Sequence, residues 1–191
     1  MSKKWAVGIS GASGAIYAKL LLDELKDMYR EDWRIGVVMS ENAIYNWELE
    51  VGEFNEEKYP FTFYGKGDFT APFASGSANF DGMMICPCSM GALGRIANGI
   101  SDDLTSRAAD VMLKERKKLI LVPRETPFNL IHLRNMVRVS EAGAVVCPAI
   151  PSYYSGVKST DELAMTVVHR VLQVAGFEPD SFQWGKEPTD E

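Results

Sequence analysis

The sequence is short of the residues that hold metals and disulfides. It has two histidines, His132 and His169, and they offer no zinc-ligand spacing. Its three cysteines, Cys86, Cys88 and Cys147, are an odd number and do not suggest a disulfide framework. Positive charge is also short: 20 basic against 26 acidic residues give a formal net charge of -6, which argues against nucleic acid as the main partner. No apolar run approaches the ~20 residues needed to cross a bilayer, so no membrane partner is expected. Internal repeats and low-complexity segments are absent, and no domain boundary interrupts the 191 residues. The opening MSKKWAVGIS goes straight into an apolar run without a signal-peptide pattern, so the expected compartment is the cytoplasm.

Hydrophobic residues make up 46% of the chain, enough for one sizeable core. Residues 5–9, 34–39, 83–86, 119–122 and 145–147 read as strands. Residues 15–28, 42–49, the segment opening at Ser89, 101–116, 130–141 and 161–175 read as helices. This alternation predicts a doubly wound α/β fold, a parallel sheet with helices on both faces, spanning 1–175 with a tail over 176–191. Residues 51–80, with Gly65, Gly67, Pro72 and Gly76, read as an irregular crossover.

Ligands of such sheets sit outside the carboxyl ends of the strands. The first strand runs into Ser10-Gly11-Ala12-Ser13-Gly14 and then a helix. A helix N-terminus offers unpaired N–H groups, and glycine lets an anion approach the backbone, so this turn is a candidate phosphate or cofactor seat. Gly8, Gly11 and Gly14 are three apart, which is neither the dinucleotide pattern nor a P-loop. The competing reading is a plain turn with Ser13 as N-cap. The second strand ends at Ser40 and not at the acid of an NAD site; Ser40 suits phosphate or ribityl, or caps the next helix. Glu48 and Glu50 follow Trp47 and are either candidate general acids or solvated charges.

Further along, residues 71–77 are small enough to lie against a flat ring, or form a plain surface crossover. Cys86-Pro87-Cys88 is a redox or metal pair, or a buried strand end. Ser89-Met90-Gly91-Ala92 opens a second helix N-terminus suited to an anion. Arg107 and Lys114 are seven apart on one helical face and suit a phosphorylated ligand, or else pair with Asp103 and Asp110 at i,i+4. Arg124 and Glu125 stand at a strand end in a loop fixed by two prolines. Tyr153 and Tyr154 follow Pro151 and either orient phosphate or pack. Trp184, in the Pro- and acid-rich tail, suggests docking onto another subunit.

In order along the chain, Gly11-Ala12-Ser13-Gly14, Ala74-Ser75-Gly76-Ser77, Cys86-Pro87-Cys88-Ser89, Arg107-Ala108-Ala109-Asp110-Val111, Leu113-Lys114-Glu115-Arg116, Pro123-Arg124-Glu125-Thr126-Pro127, Ile131-His132-Leu133 and Pro151-Ser152-Tyr153-Tyr154 resemble the UbiX-type flavin prenyltransferase family. The resemblance covers nearly the whole chain. It implies a flavodoxin-like Rossmann fold and a homo-oligomer, usually a dodecamer. The implied enzyme is a metal-independent prenyltransferase. It moves the dimethylallyl group of dimethylallyl phosphate to N5 of reduced FMN, closes a ring at C6, and delivers prenylated FMN to a UbiD-type decarboxylase.

By similarity, Gly11, Ala12, Ser13, Ser40, Ser89, Met90, Gly91, Ala92 and Arg124 hold FMN. Tyr154 and Arg170, with Lys114 and Arg107 beside them, hold the prenyl phosphate. Ser13, Glu50 and Glu125 handle protons, and Lys114 stabilises the leaving phosphate. Aromatics such as Phe73 or Trp184 are expected to line a dry pocket for the allylic cation. The alternatives are an FMN-dependent decarboxylase and an FMN-binding carrier or accessory subunit of an aromatic-acid decarboxylase. The related cysteine decarboxylases fit poorly, because they use an early catalytic histidine and the first here is His132.

Overall fold

Strands that bury every side chain, without alternation, belong to sheets covered on both faces. That is the pattern of β1 (Lys4–Ile9), β2 (Arg34–Met39) and β5 (Lys118–Pro123), each buried after its first charged residue, and of β4 (Gly82–Cys88), buried throughout. With β3 (Thr62–Gly65) and β6 (Val145–Val146) they form a six-stranded sheet in the order β3-β2-β1-β4-β5-β6, with every neighbouring pair parallel. The computed structural model describes residues 2–154 and 156–181. The tail and Trp184 therefore lie mainly outside the described residues, although Phe177, at its start, is buried against Trp5 and Trp33.

Helices α1 (Ala15–Asp27), α2 (Glu41–Glu50) and α6 (Thr160–Ala175) accompany one face, where Leu21, Leu25, Val168 and Leu172 meet the sheet. Helices α3 (Met90–Ala97) and α4 (Leu104–Lys114) cover the other face through Leu93, Leu104 and Met112. Helix α5 (Leu130–Glu141) packs outside α3 through Val139 and leaves Leu130, Ile131 and Val137 exposed.

The segment read as irregular holds an element that its composition hides. Thr62–Gly65 pairs with β2 from Gly36 to Met39 as an edge strand. Four residues with one neighbour need neither a long apolar run nor full burial, so no periodicity announces them. Without β3 the remaining order is that of flavodoxin, 2-1-3-4-5, so the expected fold holds with one strand added. Short helical turns over Pro72–Ala74 and Gly76–Ala78 complete the crossover. Phe73 is fully buried there between Tyr64 and Phe80. This corrects the expectation that Phe73 lines the prenyl pocket: its ring is part of the core.

Candidate functional site

The strand order reverses between β1 and β4, and the chain spreads apart beyond their carboxyl ends. Ser10 fastens those ends together. Its buried hydroxyl donates to Pro87 O at 2.9 Å and accepts from Ser89 N at 2.7 Å. Ser10 was absent from the sequence-based candidates, although its place as the first polar residue after β1 marks the switch point.

A cavity of about 200 Å³ opens here, lined by Ser10, Gly11, Ser40, Ser89, Ala92 and Ser106 among others. Three capped helix starts face it. Ser40 Oγ accepts from Ala43 N at 3.1 Å, Ser89 Oγ from Ala92 N at 3.2 Å, and the Asp103 carboxylate from Ser106 N at 2.7 Å. The positive ends of α2 and α3 thus converge on one space, which favours an anion, whereas the start of α4 is already taken by the Asp103 carboxylate. Lys66 and Arg95 add cations to the same wall, held by Glu41 at 3.1 Å and Asp102 at 3.6 Å. Gly11 is required by space, since a Cβ there would stand 2.4 Å from Asn42 Cβ.

The start of α1 is different from the phosphate seat expected of it. Its N-cap is Gly14, at φ 106°, and not Ser13. The carboxylate of Glu50 accepts from Gly14 N at 2.8 Å and from Ala15 N at 2.7 Å. A fixed carboxylate therefore occupies the N–H groups that an incoming phosphate would need, and the anion seat lies across the switch point instead. The same contacts distinguish Glu50 from Glu48, which is exposed on α2. Ser13 is exposed beside this turn and Ala12 is buried beneath it.

Arg124 follows β5, and its backbone N–H donates to Cys88 O. Its side chain lies over Gly14 together with the ring of Tyr17. Burial raises the Tyr17 phenol above its usual range, Cys86 adds to this, the Arg124 guanidinium opposes it, and Tyr153 raises it further. The Tyr17 ring and the Arg124 side chain thus meet over Gly14, with Cys86 behind them on β4. Tyr17 was missed because its position on α1 reads as part of an apolar stripe. Glu125 does not pair with Arg124: it is exposed, and its carboxylate accepts the N–H of Thr126 at 2.9 Å.

A second cavity, of about 250 Å³, lies beyond β6 and against α6. It brings together Tyr154 and Arg170, with Cys147, Thr166 and His169. Burial raises the Cys147 thiol, and Arg170 opposes the shift. His169 stands 3.7 Å from Glu24 of α1.

Arg107 and Lys114 do not join either cavity. Lys114 ends α4 and pairs with Glu115. Glu115 lies against Gly76, and Lys117 donates to Asn79 Oδ1 at 2.8 Å. Lys118 then pairs with Gly82, the first residue of β4. Lys114 is thus at the amino edge of the sheet, the opposite edge from Ser10 and Ser89. Arg107 is about 10 Å away along the helix, seven residues at ~1.5 Å each. The i,i+4 pairs are also unmade: Asp103 is used in the cap of α4, and Lys114 turns to Glu115. Burial accounts for the cysteines, pushing Cys88 to about 12 and raising Cys86 as well. Among the described residues no cluster of three His, Cys, Asp or Glu side chains is arranged to hold a metal.

The sequence model of the flavoprotein family matches residues 1–172. The chain is 44% identical over 183 residues to the flavin prenyltransferase UbiX of Methanocaldococcus jannaschii, covering 95% of this chain and 98% of that one. It is 39% identical over 187 residues to the UbiX of Neisseria meningitidis serogroup B, covering 96% and 97%. A UbiX protein solved in complex with FMN and dimethylallyl pyrophosphate superposes with a TM-score of 0.86 at 36% identity, covering 98% of this chain and 100% of that one. A dodecameric FMN-dependent UbiX-like decarboxylase from Escherichia coli O157:H7 gives a TM-score of 0.87 at 38% identity, covering 94% and 98%.

Proposed function

The chain belongs to the flavoprotein family, in its UbiX flavin prenyltransferase branch, and we propose that it joins the dimethylallyl group of dimethylallyl phosphate to reduced FMN. The observation that carries this reading is the pair of cavities beyond the carboxyl ends of the strands. One has two serine-capped helix starts, a donor set that fits the phosphate and ribityl chain of FMN. The other holds Tyr154 and Arg170, a phenol and a guanidinium that fit a second phosphate.

When bound, reduced FMN supplies the nucleophilic N5 and the C6 position at which the ring closes. The protein's own residues position and polarise. Ser40, Ser89 and the amides of Met90 and Gly91 hold the FMN phosphate and ribityl end, with Ala92 lining the same space and Ser10 fixing the Ser89 amide. Gly11, Ala12, Ser13 and Arg124 meet the ring end. Tyr154 and Arg170 stabilise the charge that develops on the departing phosphate. Glu50, already fixed at the α1 start, and Glu125 are the carboxylates placed to take a proton.

Lys114 and Arg107 reach this site from another copy of the chain. The place of Lys114 at the amino edge of the sheet supports that reading. So do the exposed Leu130, Ile131, Val137 and Ile150, which leave apolar surface for association, as a dodecamer. By the family resemblance, prenylated FMN is delivered to a UbiD-type decarboxylase. The site of action is the cytoplasm, and among the described residues no helix is long and apolar enough to cross a membrane.

The test is mass spectrometry of flavin released after anaerobic incubation with reduced FMN and dimethylallyl phosphate. A flavin heavier by one five-carbon unit is expected. Unmodified flavin, together with carbon dioxide release from an aromatic acid by this protein alone, would establish the decarboxylase reading instead.

A further inference from the structure

Tyr154 sits on a loop without regular structure, whereas Arg170 sits on α6. For both to close on one phosphate, loop and helix must keep a fixed separation. The start of the loop is bonded to β5, with Cys147 N donating to Leu121 O at 2.8 Å and Ala149 N to Pro123 O at 3.0 Å. The tie to α6 comes from Thr166. Its Oγ1 accepts the N–H of Ser152 at 3.1 Å and donates to Leu163 O at 2.7 Å. The hydroxyl proton is thereby directed into the helix, and the lone pairs are directed at the loop. Thr166 precedes Arg170 by four residues, so both side chains project from one face of α6, and both line the second cavity.

We propose that Thr166 is a positioning residue for the prenyl donor, holding the Tyr154 loop against the Arg170 helix. The proposal rests on the reading of Tyr154 and Arg170 as phosphate ligands. Thr166 acts through Ser152. A valine in its place keeps the branched shape and packing but removes the acceptor.

Prenylation of reduced FMN is measured by mass with dimethylallyl phosphate varied, for wild type, Thr166→Val, Thr166→Ser and Arg170→Ala. Thr166→Val is expected to raise KM for the donor about five- to tenfold, with kcat and FMN affinity within about twofold of wild type. Thr166→Ser keeps the acceptor and is expected to restore the wild-type KM. A wild-type KM in Thr166→Val, or equal losses in the valine and serine variants, overturns the proposal. A raised KM in Arg170→Ala beside an unchanged Thr166→Val rejects the proposal alone. An unchanged KM in Arg170→Ala rejects the phosphate reading and the proposal with it. Should Thr166→Val fail to fold, Ser152→Pro removes the donor N–H with Thr166 intact, and the same rise in KM is required of it.

Discussion

Glu50, the last residue of α2, accepts the backbone N–H of Gly14, the N-cap of α1, at 2.8 Å. The contact joins residues 36 apart in sequence and supplies a cap that no side chain within α1 provides. It holds a carboxylate against the turn that carries Ser13. Capping by Glu50 and the proton handling proposed for it separate by substitution. Glu50→Gln keeps an acceptor and is expected to melt near the wild-type temperature while turnover falls at least tenfold. Glu50→Ala is expected to lose about 1 kcal/mol of stability as well. Thermal denaturation beside the flavin mass assay checks both; a fully active Glu50→Gln would remove its catalytic role.

The Ser10 hydroxyl is expected to matter more than its size suggests. In Ser10→Ala, Pro87 O keeps the Ser10 N–H at 3.2 Å, but Ser89 N loses the hydroxyl it donates to. An unsatisfied buried group costs about 1–3 kcal/mol. Because Ser89 also opens α3, FMN affinity is expected to fall together with stability. Flavin fluorescence titration and urea denaturation of the same variant measure the two losses.

Gly11→Ala tests the space at the cavity floor. The added methyl would meet Asn42 Cβ at 2.4 Å, and Asn42 belongs to the first turn of α2. The start of α2 must move, which displaces Ser40. A loss of FMN binding of tenfold or more is expected, with a smaller change in melting temperature; normal binding would show that α2 moves freely.

Supply of Lys114 by a second copy predicts complementation. Lys114→Ala alone is expected to bind FMN and lose turnover. Arg170→Ala alone is expected to bind FMN and to turn over slowly, with a raised KM for the donor, since the two are proposed to act on one phosphate. Mixed oligomers, refolded or co-expressed, are expected to regain part of the activity, because some sites then combine an intact Lys114 with an intact Arg170. Mixtures as inactive as their components would place both residues in one chain's site.

The buried thiols set an alkaline limit. Unfolded, Cys88 has its ordinary pKa of 9.0, and burial raises it to about 12. Between those values the folded state holds the proton that the unfolded state has lost. Stability from this group is therefore complete below about pH 9 and falls as pH rises from there towards 12, by up to ~1.4 kcal/mol per pH unit. Cys86 shifts in the same direction. Denaturant midpoints at about pH 8 and about pH 10 are expected to differ less in a Cys86→Ala, Cys88→Ala double variant than in wild type.

Much of the molecule was legible in order along the chain. The unbroken apolar runs of β1, β2, β4 and β5 dictate a sheet buried on both faces, because only such a sheet places every side chain of a strand away from water. Ser40 and Ser89 were legible as strand-end hydroxyls for the same reason: a serine before a helical run is both a cap and a residue at the carboxyl edge. β3 was hidden because an edge strand of four residues carries no period. Ser10, Tyr17 and Thr166 were hidden because each derives its role from a residue on another element: Pro87, Arg124 and Ser152. Sequence could place Glu50 near a tryptophan, but only the packing of α2 against α1 set its carboxylate on the Gly14 amide. Local pattern determined which elements form and where their polar ends fall. The tertiary structure decided which of those ends meet, because hydrogen bonds between distant elements depend on helix packing and strand order, and neither has a local signal.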